Sequence, residues 1–290
     1  MAHSIKIKHL PNLLVEAFKS WYESEPFKIS AVVAYYAILS LPALIIIILK
    51  LVGSFWGENL VQGELLTEIK EAIGHDAAAA IKTMIVNQSS QKNSTLAALI
   101  GIGTLMFGAT GVFNQLKSAL DAIWKQEKTY PNGFIATIMS RVKSFGFVLI
   151  LGFILLSSLI LTSILSMFSN QLNRILPAGL FDYLHLADFI VSVVFIYALF
   201  ATMFKYLPSA KITWKSVHVG AALTTFLFLI GKYLLALYFR AVEPGSAYGA
   251  AGSIILIMLW VSYSNLILLY GAHFTKHYAD KYVVPENVSQ

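Results

Sequence analysis

Residues 249–273 read GAAGSIILIMLWVSYSNLILLYGAH, a run without one Asp, Glu, Lys or Arg. As a helix, about 20 such residues rise through the ~30 Å hydrocarbon core of a bilayer, so the run reads as a transmembrane segment. Working outward from it, five more segments have the same character: 29–52, 95–117, 144–168, 184–206 and 216–239. The composition of the 290 residues agrees, with 57% hydrophobic, 12% charged and a mean hydropathy of +0.70. A soluble domain carries roughly 25% charged residues, so soluble globular enzymes and disordered chains are excluded. The expected fold class is an all-α integral membrane protein, a single membrane domain over 1–290 with six transmembrane helices. The first span is not a cleaved signal peptide, because it starts late, behind Glu16, Glu23 and Glu25, and lacks a small-residue cleavage site. With no cysteine, disulfides, thiolate metal sites and cysteine nucleophiles are excluded.

The net charge of +6 becomes informative once its location is known. Of the 21 basic residues, 14 fall in the N-terminus, the loops between spans two and three and between four and five, and the tail. The other seven are Lys50, Lys70, Lys82, Lys92, Arg174, Lys232 and Arg240. The 15 acids divide 7 against 8, so one side carries +7 and the other −1. The positive-inside rule then places both termini in the cytoplasm. The sequence pI of 9.3 is thus a topology signal rather than a nucleic-acid footprint.

Seven of the eight prolines fall in expected loops or termini, where a missing N–H does no harm. Pro42 alone lies inside a span, where it should kink the helix and free the carbonyl of Ile38; Ser40 and the Tyr35–Tyr36 pair are near enough to reach freed backbone groups. A sharper expectation is a broken helix lining a polar cavity. Trp21, Trp56, Trp124 and Trp214 flank spans as interfacial anchors, while Trp260 lies within the sixth.

Two regions outside the spans carry helical patterns. Residues 11–24 read as an amphipathic helix with Leu14, Phe18 and Trp21 at helical spacing, expected at the inner leaflet interface. In the long 53–94 loop, Val61, Leu65, Ile69 and Ile73 recur every four residues. Gly74-His75-Asp76 then breaks the pattern, and Ala77–Val86 reads as a second helix capped by Asp76. This predicts an outer two-helix cap between the first two spans, either a solvated packing pair or a lid that docks a partner. Within the spans, Ala97, Gly101, Thr104, Gly108 and Gly111 form a small-residue stripe, and Gly249–Ser253 a second such patch, both favouring close helix approach. The hydroxyls of Ser157, Ser158, Thr162, Ser163 and Ser166 can bond back to their own helix.

Catalytic and metal-binding signals are lacking. Of the seven histidines only His273 and His277 have helical ligand spacing. The residue after His273 is Phe274 where a zincin needs glutamate, and no third ligand is near. Two histidines in the last turn of a helix suit its negative end. No nucleophile elbow, phosphate-binding loop or paired carboxylates occur. The expectation is no catalytic residue, no metal and no cofactor. What remains is polarity at membrane depth. Lys232 lies within the fifth span, about 12 Å along the axis from Arg240; it either snorkels outward or lines water or an anion. Asp188, at the outer start of the fourth span, is a candidate partner. Asn114 and Asn265 are weaker candidates, suited to hydrogen bonds between helices.

Several stretches together resemble the YihY/BrkB family of bacterial inner-membrane proteins. They are Ala34-Tyr35-Tyr36-Ala37 with Ser40 and Pro42; Gly111-Val112-Phe113 with Leu116, Ala119, Leu120, Ile123 and Trp124; and Tyr206-Leu207-Pro208 with Trp214 and Gly220. Lys232, Tyr233, Tyr248, Gly249, Gly252, Trp260, Gly271 and Ala272 complete the likeness, which runs over nearly the whole chain. The family proline usually stands one place later than Pro42, and the usual Gly-Ala-Glu ending reads Gly271-Ala272-His273 here. The resemblance implies an inner-membrane location. It brings competing functional labels: a tRNA-processing ribonuclease, serum resistance, export of envelope lipid, and export of anions.

The residues favour an envelope transport protein that moves or hands over a lipid or an anionic solute, with Lys232, Tyr35, Tyr36, Ser40, Asn114, Tyr248 and Asp188 as binding residues. The alternative is a membrane scaffold docking a periplasmic partner through the 53–94 cap, followed by a membrane enzyme or the ribonuclease. Neither an RNA-binding module nor an acid–base pair supports the ribonuclease. Expected partners are membrane lipids, a periplasmic protein and a further copy of the chain, with no nucleic acid.

Overall fold

The computed structural model describes residues 10–57, 59, 62–63, 65–67, 70, 75–90, 95–126, 181–242, 244 and 252–283, and every regular element among them is helical. In chain order the helices are α1 (Leu10–Glu23), α2 (Pro26–Trp56), α3 (His75–Ser90), α4 (Thr95–Ile123), α5 (Phe181–Tyr206), α6 (Trp214–Val242) and α7 (Gly252–Tyr282). Five expected spans fall on α2, α4, α5, α6 and α7; the expected span 144–168 and Tyr248 lie outside the described residues. Phe189–Tyr206, Trp214–Val242 and Ile254–Tyr282 are long and apolar enough to cross a membrane by length and composition, and the Pro26–Leu41 part of α2 is apolar too.

Local chemistry sets the ends. Pro26 opens α2, where its missing N–H is one the helix leaves unused. The chain turns into it through Glu25 at φ 52, whose carbonyl accepts from the Lys28 and Ile29 amides. At the end of α4, Lys125 sits at φ 53, the Gln126 amide donates to Asp121 O (2.8 Å) and the Lys125 amide to Ala122 O (3.0 Å). That is a Schellman ending with lysine in the left-handed position. At the start of α6, Thr213 O accepts from the Ser216 and Val217 amides, and Ile212 and Val217 are buried in one cluster, the arrangement of a hydrophobic staple.

α7 is the hub of the bundle, packing against α1, α2, α3, α4 and α6, while α2–α4 and α5–α6 form the other close pairs. The largest core cluster gathers one end of the bundle: Ala119 and Leu120 of α4, Phe200 and Phe204 of α5, Leu207 and Ile212 of the α5–α6 turn, Val217 and Ala221 of α6, and Leu268, Leu269 and Ala272 of α7. A second cluster joins Ile81 and Ile85 of α3 to Leu256 and Ile257 in the first turns of α7. Phe189, Ile190, Val194, Phe226, Ile230, Leu234 and Leu237 stand exposed on α5 and α6. On α6 the exposed side chains are large and apolar and the buried ones mostly small or hydroxylated, which suits a helix whose solvent is lipid.

Four expectations are corrected. α2 passes Pro42 as one helix of 31 residues, so it is not broken there. The Ser40 hydroxyl donates to Ala37 O at 3.0 Å, one carbonyl before that of Ile38, which Pro42 leaves without its helical donor. His75 and Asp76 are both helical residues of α3, so Asp76 does not stand at the cap. α1 forms where expected, but its buried face is Leu13 and Ala17, which cluster with Phe274 and Tyr278 of α7; Phe18 is exposed. The α7 surface, absent from a reading of 11–24 alone, selects that face. Finally, α7 runs on to Tyr282, so His273 and His277 are not in its last turn.

Candidate functional site

The inner contact of α6 and α7 is built from a repeated spacing, Gly220-x-x-x-Thr224 on one helix and Gly271-x-x-x-Thr275 on the other. The helices run antiparallel, and each threonine sits over the glycine of its neighbour. A Cβ at Gly220 would overlap Thr275 Oγ1, and one at Gly271 would overlap Thr224 Oγ1. Each hydroxyl donates to the glycine carbonyl four residues back in its own helix, Thr224 to Gly220 O and Thr275 to Gly271 O, both at 2.7 Å. The pair thus buries two hydroxyls without leaving either unbonded. About two turns beyond Thr224 on α6, Gly231 is covered by the Tyr263 hydroxyl in the same way. Between α2 and α4 a similar contact holds: a Cβ at Gly108 would stand 2.7 Å from Ser40 Cβ, and Gly111 faces the Tyr36 ring.

α7 is tied to α1 and α2 by polar groups along its length. Asn265 Nδ2 donates to Ser30 Oγ at 2.8 Å in a buried contact. The Trp21 indole donates to Leu266 O (3.1 Å) and the Tyr270 hydroxyl to Leu14 O (3.2 Å). His273 Nε2 meets Ser24 Oγ at 3.2 Å, and His277 Nε2 meets Ser20 Oγ at 2.8 Å. The two histidines with ligand spacing therefore dock α1. Among the described residues no three His, Asp or Glu side chains gather as a metal set.

A second polar knot fixes the α5–α6 turn to the end of α4. The Asp121 carboxylate, buried at 8% exposure, accepts from the Ser209 amide (2.6 Å), the Ser209 hydroxyl (3.1 Å) and Lys117 Nζ (2.9 Å). Lys117 Nζ also donates to Ser209 Oγ. Lys205 Nζ donates to Ile212 O at 2.5 Å and lies 5.4 Å from the centre of the Trp214 ring.

The residues singled out in the sequence are scattered over this frame. Lys232 is half-buried on α6, one residue past the Gly231–Tyr263 contact, and makes no hydrogen bond or ion pair among the described residues. Its ammonium can therefore neutralise an anion or hold water. Tyr36 and Ser40 belong to the α2–α4 contact, with Tyr36 edge-on to Phe107 at 5.8 Å. Tyr35 is exposed at 56%, and Asn114 is exposed on α4. Tyr248 and the Asp188 side chain lie outside what the structure describes, so the expected Lys232–Asp188 pairing falls outside it too. Tyr36 and Ser40 thus come together; Lys232 is not gathered with them. Asp121, Thr224 and Thr275 were missed by the sequence reading. The Gly-x-x-x-Thr spacing in two successive spans was the available signal for the threonines, and the Lys117–Asp121 spacing of four for the aspartate.

The family model of virulence factor BrkB matches residues 17–289. A UPF0761 membrane protein of Haemophilus influenzae is 24% identical over 267 residues, covering 91% of this chain and 93% of the relative. Another, of Mannheimia succiniciproducens, is 25% identical over 246 residues, covering 83% and 80%. A third, of Pseudoalteromonas translucida, is 24% identical over 262 residues, covering 88% and 80%. No solved structure matches.

Proposed function

The chain belongs to the virulence factor BrkB family, and on that premise we propose that it is a bacterial inner-membrane transport protein that moves or hands over a lipid or an anionic solute, without catalysis of its own. The proposed topology has six spans with both ends in the cytoplasm, resting on the distribution of Lys and Arg, and places 53–94 outside.

Lys232 carries this reading. It is a cation, half-buried, inside the apolar helix Trp214–Val242, with no partner among the described residues. A lysine at membrane depth costs a few kcal/mol unless it snorkels, pairs or lines water. An anionic headgroup or solute passing Lys232 would supply that pairing transiently, which is what a transfer site requires; a permanent carboxylate partner would compete with it.

The test reconstitutes the full chain in liposomes and follows the transbilayer movement of a fluorescent anionic phospholipid and, separately, the efflux of chloride. Wild-type protein should move at least one of them, Lys232→Met should lose that movement at equal reconstitution, and Lys232→Arg should keep part of it. Movement by Lys232→Met equal to wild type removes Lys232 as the site, and transport of neither probe shifts the weight to a scaffold docking a periplasmic partner through 53–94.

A further inference from the structure

At the end of the bundle where α5 turns into α6, one exposed patch combines aromatic rings with cations. Tyr206 and Trp214 meet edge-to-face at 6.3 Å, and both are exposed, at 62% and 45%. The Trp214 ring stacks on His218, one turn on, at 5.4 Å. Tyr197 of α5 also stacks with the His218 ring at 6.2 Å and brings its hydroxyl to Nδ1 at 2.5 Å. When that phenol donates to Nδ1, the ring hydrogen sits on the exposed Nε2, which no described residue engages. Lys205 lies against the Trp214 ring, and Lys211 and Lys215, both exposed, flank it in sequence.

The stretch 205–218 carries Lys205, Lys211, Lys215 and His218 and no Asp or Glu. Among the described residues the carboxylate that reaches this turn is Asp121, and its oxygens are taken up by Ser209 and Lys117. The positive charge of the patch is therefore not neutralised by the carboxylate beside it. Exposed Tyr and Trp rings settle at the level of lipid headgroups, where their apolar bodies meet acyl chains and their polar edges meet water. A cation beside them then stands at the height of the phosphate.

We infer that this patch binds the headgroup of an anionic glycerophospholipid in the leaflet that borders the α5–α6 turn. Trp214 and Tyr206 pack against the glycerol and upper acyl chain. Lys211 and Lys215 pair with the phosphate, and His218 Nε2 donates to it. The site is separate from Lys232, which lies about 27 Å along α6 from Trp214, and it stands whether or not Lys232 serves transport.

The experiment uses the full chain in detergent and counts retained lipid by native mass spectrometry after adding equal phosphatidylglycerol and phosphatidylcholine. Wild-type protein should retain phosphatidylglycerol preferentially. Lys211→Gln and Lys215→Gln should each lower that preference about fivefold, the factor expected for one surface lysine facing an anionic lipid. Trp214→Ala should lower retention of both lipids. Because both lysines are exposed, the variants should unfold at the wild-type temperature, which excludes a folding defect. A Lys211→Gln/Lys215→Gln variant with unchanged preference would overturn the inference. So would a preference abolished by Lys232→Met instead, which would place the lipid at mid-span.

Discussion

The two halves of α6 are built differently. From Trp214 to Thr225 the helix buries Ser216, Val217, Gly220, Ala221, Thr224 and Thr225. From Phe226 to Val242 it buries only Gly231 among the described residues and exposes Phe226, Ile230, Tyr233, Leu234, Leu237, Tyr238 and Val242. The first half has the small and hydroxylated residues, and the second has the large apolar ones. In lipid, burying a leucine gains little, because lipid tails are as apolar as the leucine; what holds helices together is close backbone approach and hydrogen bonds between groups that would otherwise be unsatisfied. The buried half is therefore the less hydrophobic one, and Lys232 lies in the half that is more exposed among the described residues.

The contrast can be broken hardest at Gly220. Gly220→Leu forces a side chain into the space of Thr275 and should destabilise the purified protein by about 3 kcal/mol or more, or prevent folding, read as thermal unfolding in detergent. Gly220→Ala should cost about 1–3 kcal/mol, and adding Thr275→Ala should return most of it by vacating the overlapped position. A Gly220→Leu protein that melts like wild type would mean the α6–α7 contact is not the one described.

A smaller loss is expected at the other end of the first half. Asp121→Ala strips the Ser209 amide and Lys117 of their acceptor, in a site where Asp121 is buried but Lys117 is 34% exposed at its side chain. Partial exposure lowers the penalty for the stranded lysine, so the cost should be about 2 kcal/mol. Hydrogen exchange at the Ser209 amide should quicken with it; unchanged exchange would show that the turn is held without Asp121.

The smallest effect belongs to the open half. Lys232→Met keeps the stem and removes the charge, so its unfolding free energy should stay within about 0.5 kcal/mol of wild type or rise, read as thermal unfolding in detergent. A marked loss of stability would reveal a partner for the ammonium and make the second half a built interface like the first.

Much of this was legible in the chain. The positions of α2, α4, α5, α6 and α7 follow from apolar blocks, because a bilayer demands one length and one polarity. The stripe in 95–117 marks a contact face at Gly108 and Gly111, which lie against Ser40 and Tyr36; the side chains of Ala97 and Thr104 and the surroundings of Gly101 lie outside what the structure describes. The likeness to a family of membrane proteins could be read from the Tyr35–Pro42, Gly111–Trp124 and Tyr206–Gly220 stretches and holds over residues 17–289. Less could be read of the site. Nothing local distinguishes Leu13 and Ala17 from Leu14 and Phe18 on α1, and the choice falls to Phe274 and Tyr278, some 260 positions away.

The sequence by itself determined that the chain is helical and membrane-embedded in character, and where most helices lie and begin, because caps, prolines and apolar length act within one or two turns; α2, α4 and α7 run on past the ends of their apolar blocks. Outside the small-residue stripe of α4, the tertiary structure decided which face of a helix is buried. It paired Gly220 with Thr275 and Gly271 with Thr224, turned His273 and His277 toward serines of α1, and closed Asp121 onto Ser209. The reason is physical. In a helix surrounded by lipid, hydropathy is nearly uniform around the circumference, so the buried face is chosen by the shape and hydrogen-bonding partners that another helix supplies.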